Sequence, residues 1–585
     1  MLSAVTHSHR DLIDLAGMWD FRADPQKVGE AAKWYQKGSG DWDILYVPAN
    51  WNEQRAAYDE YMGWGWYRRR VFVPASWRGR QVKFVIQGAL HTAKAWVNGQ
   101  LVGEHDGGFT PLEADVSAAL CYGEDNILTI CVDDTLSMET VPQGTTQNRT
   151  YIDWYNWGGP YRPLYLEATD PTHLEDLTLR TLCALPEQAV LDIHGQVKDP
   201  AVGTTEVELA LYDPAGKLVV KANQAVDEKG EFSTRWTIPQ PALWSPDSPN
   251  LYHLHVQVRR GDTIVDHVEF NCGLRTIELR NGKLYMNGQL FFQKGISRVE
   301  DAAMQGRASW GPVVRRDYDL LKTCGANIYR PAGYCPSIPD VLLADRLGVC
   351  VIVDIPCFGK RDPEMFDNPK VLSKAQRWLI EAVAVYKNHP SVVLWDLATE
   401  PVTTTAPGRH YIQTLYDTAR RLDPTRPVFY IWHCLHYKED KAQDIVDLLC
   451  LWIGVPIHQM HEDWDEGIRL VDEAVEYMHR RYPDKPVLLY FGAPAVSGVH
   501  SDPARWYSEE FQAKHLEWAW QYTQSKPYVI GFWCWCLCDY RSRPAAHVGG
   551  LLRWGIYDRE RQPKLGAHIL RELYPTRPTL TSEEC

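Results

Sequence analysis

The chain has 585 residues, of which 45% are hydrophobic and 23% charged, and its formal net charge is −14. A single hydrophobic core does not support this length, so we expect three to five domains. The acidic balance and the lack of a basic stripe argue against a nucleic-acid partner, and the absence of any apolar run of about 18 residues argues against a membrane span.

Residues 1–170 predict a first domain, a β-sandwich of the jelly-roll type. Short stretches of alternating polar and apolar residues are separated here by Gly, Asn and Asp turns, a pattern typical of strands with one buried face. These stretches are WYRRRVFVP, QVKFVIQGA, TAKAWVNGQLVGEH, NILTICVDD and YRPLYLEA.

Residues 171–277 predict a second all-β domain. Its strand-like stretches are VELALYD, KLVVKAN, EFSTRWTIP and YHLHVQVRR. A length near a hundred residues suits an immunoglobulin-like sandwich.

Residues 278–585 predict a (β/α)₈ TIM barrel, because short buried-strand runs now alternate with helical segments. The helical segments are apolar at positions i, i+3 and i+4. Active sites of such barrels lie at the carboxyl ends of the strands, so the polar residues after each run are candidates for function. The eight runs are FFQKGI, ANIYRP, VCVIVDI, SVVLWDLATEP, PVFYIWH, VDLLCLW, PVLLYFG and VIGFWCW.

Glu400 follows the fourth run and is the best candidate for a catalytic acid. Strand alternation predicts that Asp396, Ala398 and Glu400 share one face, with Glu400 at the barrel mouth. A carboxyl group held partly out of water there has a raised pKa and can donate a proton near neutral pH. The alternative is a structural Glu that is ion-paired with a neighbouring loop.

The chain resembles the family 2 glycoside hydrolases, and most closely the β-glucuronidases, over nearly its whole length. The resemblance implies a sugar-binding-like jelly roll, an immunoglobulin-like sandwich and a catalytic barrel, in that order. The stretches that carry it are LAGMWDF, WYRRRVFVP, KAWVNGQLVGEHDGGFTPLEADV, DWYNWGGPYRPLYL, SRVEDA, GANIYRP, KNHPSVVLWDLATEP, RRLDPTRPV, SGVHSDPARWYSEEFQ and GIYDRERQPK.

The resemblance implies that Glu400 is the general acid/base, but its surroundings depart from the family pattern. Thr399 replaces the Asn that binds the sugar 2-hydroxyl in the family. Tyr490, in Leu489-Tyr490-Phe491-Gly492, stands where the family has its nucleophilic Glu. A Tyr with an ordinary pKa near 10 is a poor nucleophile unless a neighbouring base activates it.

Other pocket positions also differ from the β-glucuronidases. Leu451-Trp452-Ile453-Gly454 replaces an Asn-Arg-Tyr-like segment, and Leu552-Arg553-Trp554 replaces the Asn-x-Lys motif that grips the glucuronate carboxylate. Ordinary glucuronidase activity is therefore not expected, although Arg553 could supply a displaced cation.

Further candidates for substrate binding follow from the same alignment. Asp153 matches an aspartate that reaches the sugar from the first domain, and Trp533 or Trp535 is expected to form the pocket floor. Arg330 lies beside the nucleophile in the family; without that carboxylate it needs another anion, such as Glu400, Asp354 or an acidic group of the substrate. The full substrate-binding set is Asp153, Arg330, Tyr334, Asp396, Thr399, His433, Trp452, Trp533, Trp535 and Arg553.

Three mechanisms are compatible with these residues. In the first, Glu400 is the acid of a glycosidase and another group replaces the nucleophile: Asp354 as a base, with Asp396 or His433 behind it, or a group of the substrate. In the second, Glu400 and Tyr490 catalyse an elimination or lactone reaction. In the third, the barrel binds a carbohydrate without cleaving it.

No cofactor or metal is expected, because the sequence has no Gly-rich phosphate loop, no HExxH motif and no evident ligand cluster. The 14 cysteines are scattered, and the first residues lack the apolar run of a signal peptide, so we expect a reduced, cytoplasmic protein. The expected partner is a carbohydrate substrate, and a homo-oligomer is possible.

Overall fold

A computed structural model describes residues 6–36, 40–140, 154–199, 203–308, 311–357, 364–433, 437–454, 460, 462–542 and 549–575. Two antiparallel β-sandwiches precede a closed parallel barrel. This architecture confirms the predicted fold class, a jelly-roll sandwich, an immunoglobulin-like sandwich and a (β/α)₈ barrel.

The first sandwich packs a four-stranded sheet, ordered β10-β6-β13-β2, against a six-stranded sheet, ordered β4-β3-β5-β11-β8-β9. Alternate residues of these strands face inward, and Trp19, Phe84 and Leu128 belong to the core between the sheets. The strands up to this point are β1 (Thr6–His7), β2 (Asp11–Asp14), β3 (Gly17–Asp24), β4 (Asp43–Val47), β5 (Trp64–Val73), β6 (Gln81–Ile86), β7 (Ala89–Leu90), β8 (Thr92–Val97), β9 (Gln100–Asp106), β10 (Leu112–Asp115), β11 (Glu124–Asp133), β12 (Gly159–Pro160) and β13 (Leu164–Thr169), with 3₁₀ turns at Trp51–Glu53, Ala56–Tyr58 and Ala75–Trp77.

The second sandwich packs a three-stranded sheet, ordered β14-β15-β18, against a five-stranded sheet, ordered β1-β20-β19-β16-β17. Strand β1 therefore precedes the first sandwich in the chain but forms an edge of the second. The strands of this unit are β14 (His173–Ala184), β15 (Gln188–Lys198), β16 (Thr205–Tyr212), β17 (Leu218–Ala225), β18 (Glu231–Pro239), β19 (Tyr252–Arg260) and β20 (Thr263–Cys272).

The barrel contains eight parallel strands, and each of the eight predicted runs overlaps one of them, although the first strand continues two residues beyond its run. Strands two, three, four, seven and eight are buried along their whole length, because helices cover the outside of the barrel. A small sheet of β21 (Ile277–Arg280), β22 (Lys283–Met286) and β23 (Gln289–Leu290) precedes them. The barrel strands are β24 (Gln293–Arg298), β25 (Ile328–Pro331), β26 (Cys350–Asp354), β27 (Val392–Thr399), β28 (Val428–His433), β29 (Leu449–Trp452), β30 (Val487–Phe491) and β31 (Val529–Cys534), followed by the hairpin of β32 (Tyr540–Arg541) and β33 (Leu551–Leu552).

Several helices of the barrel begin at side chains that accept backbone N–H groups, which are otherwise unsatisfied at a helix start. Ser337, Thr405 and Ser508 are examples of such caps. Among the described residues, none of the helices has the length and apolar character needed to cross a membrane, and the cysteines are free thiols. The helices are α1 (Pro312–Thr323), α2 (Ile338–Leu347), α3 (Glu364–Asp367), α4 (Pro369–Tyr386), α5 (Ala406–Leu422), α6 (Trp464–Arg481), α7 (Glu509–Gln524) and α8 (Leu565–Leu573).

Both sandwiches contact the barrel through buried polar groups. The indole N–H of Trp378 on α4 donates to the carbonyl of Asp106 in the first sandwich at 2.5 Å. The indole N–H of Trp244, in the loop between β18 and β19 of the second sandwich, donates to the carbonyl of Asp345 at 2.8 Å. The first contact joins the first sandwich to helix α4, and the second joins the second sandwich to helix α2.

Candidate active site

Glu400 lies directly after strand β27 and is buried, with 5% of its surface exposed. Its backbone N–H donates to the carbonyl of Ile431 at 2.7 Å. Its φ angle is +50°, in the left-handed region that non-glycine residues seldom adopt. Strain of this kind is concentrated at functional sites, where the surrounding structure holds it in place.

Arg330, at the end of β25, connects three of the candidate residues. One nitrogen of its guanidinium, Nη2, lies 2.7 Å from Oδ2 of Asp354 and 3.0 Å from Oδ2 of Asp396. The same nitrogen donates to the Thr399 hydroxyl at 2.6 Å. All four side chains are buried. The anion that the sequence requires beside Arg330 is therefore supplied twice, by Asp354 and by Asp396.

The strand alternation predicted for this segment is broken. The sequence predicts Asp396 and Glu400 on one face, which would turn Thr399 to the other. Instead the pairing register between β27 and β28 shifts between Asp396 and Thr399. A bulge of this kind re-aims a side chain, and it brings Thr399 onto the same guanidinium as Asp396.

Burial raises the pKa of both aspartates. Burial raises the pKa of Asp396 to about 6, with Arg330 opposing the rise. Burial also raises the pKa of Asp354 well above its ordinary value, and the neighbouring Asp396 charge adds to the rise. A second buried negative charge beside one guanidinium is unfavourable, so we expect the pair to carry one proton near neutral pH, mainly on Asp354, whose pKa burial raises well above its ordinary value.

Tyr490 lies on β30 and is buried. Its hydroxyl shares a hydrogen bond with the hydroxyl of Ser297, and its ring lies 5.7 Å from the Arg330 guanidinium. Burial raises the pKa of Tyr490 above the ordinary phenol value, although Arg330 and Ser297 partly oppose the rise. The side chain is therefore a neutral phenol, a hydrogen-bonding group without a negative charge.

Aromatic rings surround Tyr490. The ring of Trp452 is 4.8 Å from it and 6.1 Å from that of Trp554, and the ring of Trp535 is 6.1 Å from Tyr490. Trp452, Trp535 and Trp554 are half-buried and keep some exposed surface. Trp533 is buried, and its indole N–H donates to Gln293 inside the barrel at 3.1 Å. Trp535 therefore has the surface that a sugar ring could stack on, whereas Trp533 has none.

Tyr334 and Arg553 lie outside this group. Tyr334 has no exposed surface; its ring stacks on Phe109 of the first sandwich at 5.2 Å and carries the Arg307 guanidinium at 4.4 Å. Its position is therefore at the junction of two domains. Arg553 is half-buried after β33, and its carbonyl accepts from the N–H of Ala495 at 2.8 Å. Asp153 and the side chain of His433 lie outside the described part of the chain.

Family models match almost the whole chain. The TIM barrel domain of glycosyl hydrolases family 2 matches residues 277–577, the family's sugar binding domain matches residues 12–170, and a further family 2 model matches residues 172–275. This chain belongs to glycosyl hydrolases family 2. The resemblance predicted from the sequence motifs is thereby confirmed, and the family 2 chain is a glycosidase.

Its relatives are β-glucuronidases. The β-glucuronidase of Paenibacillus borealis is 31% identical, with 96% of each chain covered. That of Rattus norvegicus is also 31% identical, with 97% of this chain and 91% of the relative covered. The solved structure of a β-glucuronidase from an uncultured Clostridium species has a TM-score of 0.88 at 27% identity, covering 98% of this chain and 99% of the other.

Sequence reasoning missed two side chains of the candidate site, Ser297 and Trp554. Ser297 lies near the carboxyl end of the first barrel strand, where the rule for active sites in barrels would have singled out a polar residue. Trp554 directly follows Arg553, but its contact with Trp452 joins segments that are about a hundred positions apart in the sequence, so local patterns contain no signal for it.

Proposed function

We propose that the chain cleaves a terminal sugar from a glycoside or oligosaccharide, with Glu400 as general acid and without a covalent glycosyl-enzyme intermediate. The observation that carries the proposal is the combination of two groups: a buried carboxyl group, Glu400, after strand four, and a neutral phenol, Tyr490, on strand seven. The barrel mouth thus offers a proton donor, and Tyr490 adds no anionic nucleophile to it.

The role of Glu400 follows from its position. A carboxylic acid at the mouth can protonate the glycosidic oxygen as the bond from that oxygen to the anomeric carbon breaks, and the alcohol then leaves neutral. The left-handed backbone at Glu400 supports this role, because it costs stability and yet holds the carboxyl group in one place.

The absence of a covalent intermediate rests on Tyr490 and Asp354. A phenol becomes a nucleophile only when a base removes its proton, and the hydrogen-bond partner of Tyr490 is the Ser297 hydroxyl, which is not a base of that strength. Asp354 has a raised pKa, and its Oδ2 already accepts from the N–H of Gly333 at 2.7 Å. A protonated Asp354 is a weak general base, so we propose that water or a group of the substrate attacks the anomeric carbon.

The substrate we propose is not an ordinary glucuronide, although the relatives are β-glucuronidases. The charge of Arg330 is balanced by the Asp354–Asp396 pair, which leaves no surplus positive charge there for a sugar carboxylate. Half-buried Trp535 and Trp452 favour recognition by stacking on an apolar sugar face.

The test compares wild type with Glu400→Gln on a panel of glycosides whose leaving groups differ in acidity. We expect kcat/KM to fall by about 10²–10⁴ for alkyl glycosides and natural oligosaccharides, because poor leaving groups need the proton. The loss should be much smaller for nitrophenyl glycosides, whose leaving group departs without protonation. Glu466→Gln, on the exposed face of α6, is the matched control and should retain full activity.

Four results would contradict the proposal. An equal loss for good and poor leaving groups would remove Glu400 as the acid. A 2-fluoro glycoside that labels the protein covalently would restore a protein nucleophile. An unsaturated sugar product would indicate elimination by Glu400 and Tyr490, and glycan binding without turnover by wild type would indicate a binding protein. Proton NMR of the released sugar then separates attack by water, with inversion, from assistance by the substrate, with retention.

A further inference from the structure

Two histidines and a glutamate meet on the outer face of the second sandwich, far along the chain from the barrel residues. Strands β19 and β20 are antiparallel, and their register places His255 directly opposite Glu269 and Gln257 opposite His267. Alternate residues share a face, so the three side chains project from the same side of the sheet. No local motif reveals this group, because the register of two strands assembles it.

The distances within the group suit a bound ion better than hydrogen bonds. His255 Nδ1 lies 3.5 Å from Glu269 Oε1, and His267 Nε2 lies 3.8 Å from the same oxygen. Both separations exceed the usual range for a hydrogen bond, about 2.7–3.2 Å. They are close to the separation of about 3.4 Å between two ligand atoms around a tetrahedral ion with bonds of about 2.0–2.1 Å.

The orientation of His267 supports the same conclusion. Its Nδ1 lies 3.0 Å from the hydroxyl of Ser8, while its Nε2 is buried and has no hydrogen-bond partner among the described residues. In the tautomer in which His267 donates Nδ1–H to Ser8, Nε2 carries a lone pair that lies near the Glu269 carboxylate. A lone pair beside a carboxylate is repulsive unless a cation lies between them.

We infer that His255, His267 and Glu269 form a binding site for a divalent transition-metal ion of the zinc class. Neutral imidazole and carboxylate are the ligands that Zn²⁺ accepts, and three protein ligands leave its fourth position for water. The side chains of His267 and Glu269 are 17% and 33% exposed, so an ion can reach them from solvent.

The position of the site suggests what the ion does. Strand β1 pairs with β20 on the side away from β19, with Thr6 opposite Glu269, and Ser8 contacts His267. An ion here would hold the ligands of β19 and β20 together beneath the segment that crosses from one sandwich to the other. We therefore expect metal binding to stabilise the second sandwich and to leave glycoside cleavage unchanged.

Titration of metal-free full-length protein with Zn²⁺, followed by calorimetry, tests the site. Wild type should bind one equivalent that His255→Ala and His267→Ala each weaken by at least about tenfold. The same ion should raise the melting temperature of wild type but not of these variants. His253→Ala is the matched control, since His253 is exposed on the same strand and outside the group.

Circular dichroism shows whether each variant is folded, and Glu269→Gln, which keeps the side-chain shape, provides a second route if an alanine variant unfolds. The inference is overturned if wild type binds no Zn²⁺. It is equally overturned if folded His267→Ala or Glu269→Gln binds as much Zn²⁺, as tightly, as His253→Ala, because other histidines would then hold the ion.

Discussion

At the scale of single residues, the candidate site depends on the charge balance around Arg330. One guanidinium faces two carboxyl groups at 2.7 and 3.0 Å, and all three side chains are buried. Burial makes one proton on the pair more favourable than two negative charges. The two carboxyl groups are therefore neutralised by one proton and one guanidinium. Removing Arg330 and removing Asp354 should consequently change the free energy of unfolding by different amounts.

Arg330→Gln should destabilise the protein far more than Asp354→Asn. Without the guanidinium, a buried carboxylate loses its cation, and breaking a buried pair in this way costs about 3–5 kcal/mol. Asp354→Asn replaces a protonated carboxyl group by an amide of similar shape and should cost about 1 kcal/mol at neutral pH. Chemical denaturation measures both free energies of unfolding. Equal losses would show that Asp354 is ionised beside Arg330.

The shared proton also predicts a pH dependence. Because the folded-state pKa of the pair is raised, the folded protein binds a proton that the unfolded chain releases near pH 4. This contribution is fully present below about pH 4 and is lost as the pH rises through the raised folded-state pKa of each carboxyl group, which is about 6 for Asp396 and also well above the ordinary value for Asp354. In Asp354→Asn one carboxylate remains for one guanidinium, so this variant should not lose stability in this way as the pH rises. As the pH rises from about 4 to 7, wild type should therefore lose stability relative to the variant. The loss should amount to about 1.4 kcal/mol for each unit by which the folded-state pKa exceeds the unfolded-state pKa. Free energies of unfolding measured across this pH range check the prediction, and parallel curves for the two proteins would contradict it.

At the scale of elements, helix α4 joins the barrel to the first sandwich by packing on the turn after β9. Thr110 in that turn donates to Glu381 of the helix at 2.6 Å. Gly107 has a φ of +144°, and a Cβ atom at this position would lie 2.1 Å from the indole nitrogen of Trp378. The contact between the helix and the turn therefore requires a residue without a side chain.

Gly107→Ala should cost about 3 kcal/mol or more, because overpacking adds about 1–3 kcal/mol to the strain of a positive φ. Gly79→Ala is the matched control: Gly79 also has a positive φ, +83°, but a Cβ atom there has no neighbour within 4 Å. It should cost about 1–2 kcal/mol. Midpoints of thermal unfolding compare the two variants. Equal shifts would contradict the prediction, because they would mean that α4 can move away from the turn without a loss of stability.

The sequence predicts the elements well and their junctions poorly. The eight barrel strands are buried runs such as Val392–Thr399, and burial on both faces leaves an apolar pattern that can be read locally. The bulge after Asp396 and the left-handed backbone at Glu400 leave no such pattern. Similarly, the motif comparison identifies Tyr490 as a departure, whereas its neutral state follows from burial, which only the folded chain supplies.

At the scale of the whole molecule, a buried ion pair links the first sandwich to the barrel. Arg162 follows β12, and Glu300 follows β24, 138 positions later; their charged groups are 3.4 Å apart and nearly without solvent contact. Arg162 also donates to the carbonyl of Phe109 at 2.9 Å and to that of Cys335 at 2.6 Å. The guanidinium is thus shared between two domains, so we expect these domains to unfold together.

Glu300→Ala tests this coupling, because it leaves the Arg162 guanidinium buried without its anion. We expect a loss of about 3–5 kcal/mol and, in calorimetry, separate transitions for the first sandwich and the barrel in place of a joint one. Arg469→Ala is the control: Arg469 pairs with Glu466 at 2.7 Å on the exposed face of α6. It should change stability by about 0.5 kcal/mol or less, since exposed pairs contribute little. A single transition of unchanged midpoint in both variants would contradict the prediction. The domains would then be held together by their apolar contacts, and the buried pair would contribute to the specificity of the domain arrangement but not to its stability.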